Sequence, residues 1–271
     1  MPSILSYTFF QHALIGAVLA SILCAIVGSY VVTRRLVIAS GGMAHASLGG
    51  VGMGAFFGFS PFVGAVVFAL GSGLSIDWLS RRREVREDSA VAMIWTLGMS
   101  LGILFAYLAP GFMTDLPAFL FGDILSISRL DLYLMGGLTL FTAAFYVLCE
   151  RIIITVAYDR DFATTLGLPV RLFEVLLMLL TALTIVGCLR MVGIVMVISL
   201  LSVPQLTAGI FTRTFRGMVL ASMAIGLADC LLGLALSYLL NVPSGSAIIV
   251  VSVSVFFVAK AIKAAQQRLS P

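Results

Sequence analysis

Charge is the first thing this sequence is short of. Only 10% of its 271 residues are Asp, Glu, Lys or Arg, while 61% are hydrophobic. A soluble domain, typically about 45–50% apolar, is excluded, and a polytopic membrane protein is what such a composition makes. Histidine is scarcer still, with His12 and His45 alone. An intramembrane metalloenzyme built on H-E-x-x-H is therefore ruled out. The only lysines are Lys260 and Lys263, and no G-x-x-x-x-G-K-[ST] occurs, so the chain forms no P-loop. Four cysteines, Cys24, Cys149, Cys188 and Cys230, are scattered through apolar segments without a C-x-x-C pair. They make neither a disulfide framework nor a zinc motif and read as small buried hydrophobes.

What is present is a series of apolar runs of about 17 to 23 residues, the length that crosses a bilayer core. The spacing predicts an all-α helical bundle of eight or nine transmembrane helices, one transmembrane domain over 1–271. The net charge of +4 raises the question of sidedness rather than of nucleic acid, for which nothing here is suited. With the N-terminus outside, Arg34/Arg35, Arg81/Arg82/Arg83/Arg86, Arg151/Arg160/Arg171, Arg213/Arg216 and Lys260/Lys263/Arg268 all fall inside. That is 14 of 16 basic residues, leaving Arg129 and Arg190 outside. Residues 1–33 lack a basic leader region and a small-residue cleavage site, so the first apolar run reads as a retained span.

The stretch with the most chemistry is Ile38–Phe57, IASGGMAHASLGGVGMGAFF. At helical spacing Gly41, His45 and Gly49 share a face, with Gly42, Ala46, Gly50 and Gly54 beside it. The imidazole thus sits in a groove of missing side chains, which admits close helix packing and leaves room for something to pass. An ionisable group at membrane depth is costly and marks a candidate site. The second is Asp229, mid-way along the run 218–240, on a face shared by Ser222, Gly226, Gly233 and Ser237. His12, at the outer mouth of the first span, reads as solvated. Pro204 should kink the span 191–210 and free the carbonyl of Leu200. The outer turn before that span is expected at Arg190. The segment 119–125 of the outer stretch 110–131 is too short to span and reads as re-entrant or interfacial. On the inside, Asp159–Gly167 (DRDFATTLG) has helix-start acids, Phe162 and Leu166 at i and i+4, and a glycine where a C-cap falls. This short amphipathic helix, without a core of its own, serves as a connector, lies on the membrane or docks into another protein.

Several stretches occur in one order: the His45 region, Glu87–Phe105 (EDSAVAMIWTLGMSLGILF), Asp115–Ser126 (DLPAFLFGDILS), Asp161–Leu168, Val192–Ala208 (VGIVMVISLLSVPQLTA) and Asn241–Ile248 (NVPSGSAI). Together they resemble the permease family of bacterial zinc, manganese and iron ABC importers, over about Gln11 to Val258. The resemblance implies a homodimeric permease in the bacterial cytoplasmic membrane, with two cytoplasmic ATPase subunits that bind the ATP. It also implies an extracytoplasmic metal-binding protein, a divalent cation as cargo, and no permanently bound cofactor or covalent chemistry on this chain. Asp161, Phe162, Ala163, Leu166 and Gly167 then belong to the coupling helix seated on the ATPase. The family commonly has an aspartate four residues before the histidine, where this chain has Gly41. Asp229 is expected to take over that role beside His45, with Gly41, Gly49, Gly226 and Gly233 as packing positions along the pathway. A permease for a metal chelate or another small solute is the alternative, with His45 and Asp229 only cross-linking helices.

Overall fold

A computed structural model describes residues 8–81, 85–109 and 127–269. The stretch 110–126, with the re-entrant segment expected at 119–125, lies outside the described residues. Among those described there are eleven helices and no strand: α1 (Thr8–Thr33), α2 (Val37–Phe57), α3 (Pro61–Arg81), α4 (Glu87–Leu108), α5 (Arg129–Tyr158), α6 (Arg160–Thr165), α7 (Val170–Val192), α8 (Ile194–Leu200), α9 (Val203–Phe211), α10 (Phe215–Leu240) and α11 (Ser244–Leu269). Away from its ends a helix satisfies its backbone N–H and C=O groups internally, which is why an apolar chain with no water around it takes this form.

Eight stretches are long and apolar enough to cross a membrane, α8 and α9 together counting as one. The ninth crossing is α2. Its six glycines and His45 dilute its hydropathy, yet it has 21 residues and joins α1 to α3. The C-terminal ends of α1 and α3 both reach Glu174, through Arg34 and Arg81, and so lie on one side, which makes α2 the return crossing between them. α1 lies at the centre, packed on α5, α7, α8, α9 and α10. It contributes Ala17, Leu23, Cys24 and Val27 to a core completed by residues such as Ile185, Met196 and Leu200.

Three boundaries and one side chain differ from expectation. α5 continues to Tyr158, beyond the apolar run Leu132–Cys149 that the sequence marks as a span; in the added turns Glu150 is paired with Arg216 of α10. The outer turn expected at Arg190 is at Gly193, whose φ of +77° suits glycine alone. The span 191–210 is cut into α8 and α9 rather than kinked, with Pro204 in the first turn of α9, a position that needs no N–H donor. His12 is not simply solvated, since its Nδ1 lies 3.0 Å from the carbonyl oxygen of Ile127.

Candidate transport pathway

The glycines of α2 act first as contact points. A Cβ at Gly50 would lie 1.9 Å from the Gly64 carbonyl oxygen of α3, and one at Gly52 would lie 2.2 Å from that of Gly102 of α4. Gly49 is closed off by Phe68 and the Gly98 carbonyl. α2 is thus clamped between α3 and α4 by backbone-to-backbone approach, the small-residue packing available where lipid removes the hydrophobic drive. Gly41 is different, because the nearest atom to its Cβ position is Ile198 Cδ1 of α8 at 3.8 Å, an ordinary contact. The site of the missing aspartate could accept a side chain.

His45 does not look into an open groove. Its ring stacks on Trp95 of α4, with centroids 4.5 Å apart and planes 7° from parallel. Its buried Nδ1 has no hydrogen-bond partner, so the imidazole is held by ring contact and its nitrogen lone pair or proton is left for something else.

Asp229 is 1% exposed on α10; its carboxylate faces the Ser252 hydroxyl of α11, but neither of its oxygens nor that hydroxyl completes a hydrogen bond of normal geometry. A buried polar group without a partner is costly, a carboxylate most of all. Beside it, the Cβ position of Gly226 has only ordinary contacts, to Pro204 and Ser21 at 3.7 Å, while that of Gly233 meets the backbone of Ile248 at 2.5 Å. Of the four glycines expected along the pathway, Gly41 and Gly226 border space and Gly49 and Gly233 serve helix contact.

Neither carboxylate oxygen of Asp229 forms a hydrogen bond with His45. α2 packs on α3, α4, α7, α8 and, more lightly, α1, whereas α10 packs on α1, α9 and α11. α8 is the element that touches both the His45 helix and α11. The imidazole turns toward α4, where Trp95 offers a flat ring.

Gln205, which the sequence does not single out, stands at the break between α8 and α9. It is buried, and its Nε2 donates to the carbonyls of Cys24 at 2.8 Å and Leu200 at 3.0 Å. The second is the carbonyl that Pro204 leaves free. Gln205 therefore satisfies the break and fastens it to α1, where Gly28 makes room for it. A proline followed by a side-chain amide was the signal available. Nearby, Cys24 and Cys188 stand with sulfurs 3.9 Å apart, and Ser21 reaches Cys230 at 3.8 Å. All the cysteines are free.

On the cytoplasmic side the short amphipathic helix is α6. Asp159 caps it, its side chain accepting from the Phe162 N–H at 2.9 Å. At the other end Gly167, with φ +70°, donates to the Thr164 carbonyl and Leu168 donates to that of Ala163, the pair of bonds of a Schellman stop. Ala163 is fully buried, so the helix does have one inward anchor, in a cluster with Ile153, Val156 and Phe215. Phe162 and Leu166 remain 53% and 56% exposed, and Asp161 is exposed beside them.

These features, a nine-crossing bundle with a capped apolar helix outside it, can be set beside known proteins. The profile of the ABC 3 transport family matches residues 6–263. The chain belongs to that family. It is a multi-pass membrane transport subunit rather than an enzyme. An uncharacterised membrane protein of Synechocystis sp. is 37% identical, across 97% of this chain and 94% of that protein. A manganese transport system membrane protein of Halalkalibacterium halodurans is 33% identical, over 94% of this chain and 88% of its own length. Among solved structures, PsaBC from Streptococcus pneumoniae in complex with Fab superposes with a TM-score of 0.85 at 27% identity, covering 94% of this chain and 92% of that one.

Proposed function

We infer that this chain is the permease subunit of an ABC importer that carries a divalent first-row metal cation into the cytoplasm. It would work as a homodimer with two ATPase subunits, which bind the ATP, and an extracytoplasmic metal-binding protein. The observation that carries the reading is the pair of buried, unpartnered ligand groups on crossing helices, His45 Nδ1 and the Asp229 carboxylate. An imidazole and a carboxylate suit manganese, zinc and iron alike. Manganese is the cargo to test first, since it stands in the name of a relative matched over nearly its whole length.

Because the two groups face different helices, we assign them to separate stations rather than to one site. A transport route should bind weakly enough to let go, and stations with one protein ligand each meet that need. Phe162 and Leu166 on α6 are the apolar contact for the ATPase; their helix is capped at both ends and so keeps its shape without a partner. The test is uptake of radioactive manganese, zinc and iron into proteoliposomes holding the assembled transporter. Asp229→Asn should abolish uptake with assembly intact, and Gly41→Asp should raise cation affinity near His45. Absence of ATP-dependent uptake of all three metals would overturn the reading.

A further inference from the structure

One carboxylate gathers the cytoplasmic ends of four elements. Glu174, in the second turn of α7, receives Arg34 Nη2 at 3.0 Å and Arg160 Nε at 3.1 Å on Oε1, and Arg81 Nη2 at 3.1 Å on Oε2. Arg81 is held in addition by Asp77, one turn back, at 2.8 Å. The Glu174 side chain is only a tenth exposed. The cluster forms part of the wall of a cavity of about 520 Å³ that Tyr30, Ser80 and Glu87 also line.

Its position gives it a task beyond cohesion. Arg34 lies in the short turn between α1 and α2, so holding it fixes the start of the helix that carries His45. Arg81 is the last residue of α3, which clamps α2 from one side. Arg160 is the first residue of α6, and of the three guanidiniums it is the least covered, 49% exposed against 25% and 31%. A push on α6 therefore reaches Glu174 through the most exposed of the three contacts and passes to elements that are held. The charges make the joint switchable as well. Three like charges converge on Glu174, and among the described residues only Arg81 has a second carboxylate, Asp77, so withdrawing Glu174 leaves the guanidiniums facing each other with less compensation, and the helix ends move apart.

We propose that Glu174 is the joint through which α6 moves the cytoplasmic ends of α1, α2 and α3, a positioning residue for transport that touches no cargo. The proposal rests on the reading of α6 as the helix seated on the ATPase. It is tested in proteoliposomes with the complete transporter, measuring manganese(II) uptake and ATP hydrolysis together. Glu174→Gln should still co-purify with the ATPase and hydrolyse ATP at a rate within about twofold of wild type, while manganese moved per ATP falls about tenfold, inside the roughly 5–150-fold range of ordinary coupling. Glu174→Asp, which keeps the charge, should recover part of the ratio. Arg160→Gln, which leaves the Arg34 and Arg81 pairs in place, should lower the ratio in the same direction and covers the case in which Glu174→Gln does not fold. An unchanged ratio in these variants overturns the proposal. So does a parallel loss of uptake, hydrolysis and ATPase binding, which would make the cluster a mere support for α6. The wild-type complex separates the two readings: failure to move manganese there counts against the transport reading, whereas a loss confined to the variants counts for the joint.

Discussion

A methyl group added at Gly50 should force α2 and α3 apart, while the same methyl at Gly41, nine residues earlier on the same helix, should be harmless. At Gly50 the new Cβ would stand 1.9 Å from the Gly64 carbonyl oxygen, where ordinary contact begins at 3.4 Å. The two helices would have to separate by about 1.5 Å. The obstacle is backbone and cannot swing aside. Nor can α2 retreat, because on its other side Gly52 already meets the Gly102 carbonyl of α4. Overpacking of this kind costs about 1–3 kcal/mol, occasionally more, against a helix-propensity gain of roughly 0.5–1 kcal/mol for replacing glycine by alanine. At Gly41 the propensity gain stands nearly alone, since the only neighbour is Ile198 Cδ1 at 3.8 Å. Thermal unfolding of the purified protein in detergent measures both variants. Gly50→Ala should lower the midpoint by a few degrees or prevent accumulation, and Gly41→Ala should equal or exceed wild type. A Gly50→Ala protein as stable as wild type would refute the backbone contact, and a Gly41→Ala protein that loses as much as Gly50→Ala would refute the space assigned to position 41.

Gln205→Leu keeps the volume but leaves the Leu200 carbonyl without its donor, so unfolding free energy should fall by about 1–3 kcal/mol; an unchanged midpoint would mean that the break is held by something else. Phe162→Asp puts a charge on the exposed face of α6 and should abolish co-purification of the ATPase without lowering the thermal midpoint, an expectation that intact assembly and uptake would contradict. For sidedness, single cysteines at Ser60 and Ser244 should react with a membrane-impermeant thiol reagent in intact cells and one at Thr164 should not. The reverse pattern would invert the orientation and remove the geometric basis for import.

Much of the scaffold was legible because it rests on properties of single segments. Apolar run length and the inward bias of arginine place the crossings; Asp159 and Gly167 delimit α6, where the structure shows the N-cap bond and the left-handed stop. Pro204 marks the place where a helix ends, although a proline alone does not tell a bend from a break, and it is the Gln205 amide, spanning to Cys24 and Leu200, that makes a full break affordable in a core without water.

What was not legible is the choice of neighbour. In a soluble helix the polar face declares which side looks away from the core, but in a chain this apolar every face of α2 or α10 is acceptable to lipid and to protein. Spacing showed that Gly41, His45 and Gly49 share a face; it could not show that Trp95, fifty residues on, lays its ring against the imidazole, nor that α8 rather than α10 lies next to position 41. The same holds for His45 and Asp229: position along the span puts both at similar depth, and depth says nothing about azimuth. Glu174 illustrates the converse. It sits amid charges that composition assigns to the membrane surface, where ion pairs are common and mostly weak. Its significance comes entirely from three arginines 140, 93 and 14 residues away converging on it, a fact of packing that no single segment carries. The steric record of the glycines is the part of neighbour choice a sequence does contain, since the tightest approaches, such as Gly50 with Gly64 or Gly52 with Gly102, have a glycine on both helices. Matching glycine against glycine between adjacent spans would have placed α2 between α3 and α4, and from there the face left for His45 follows.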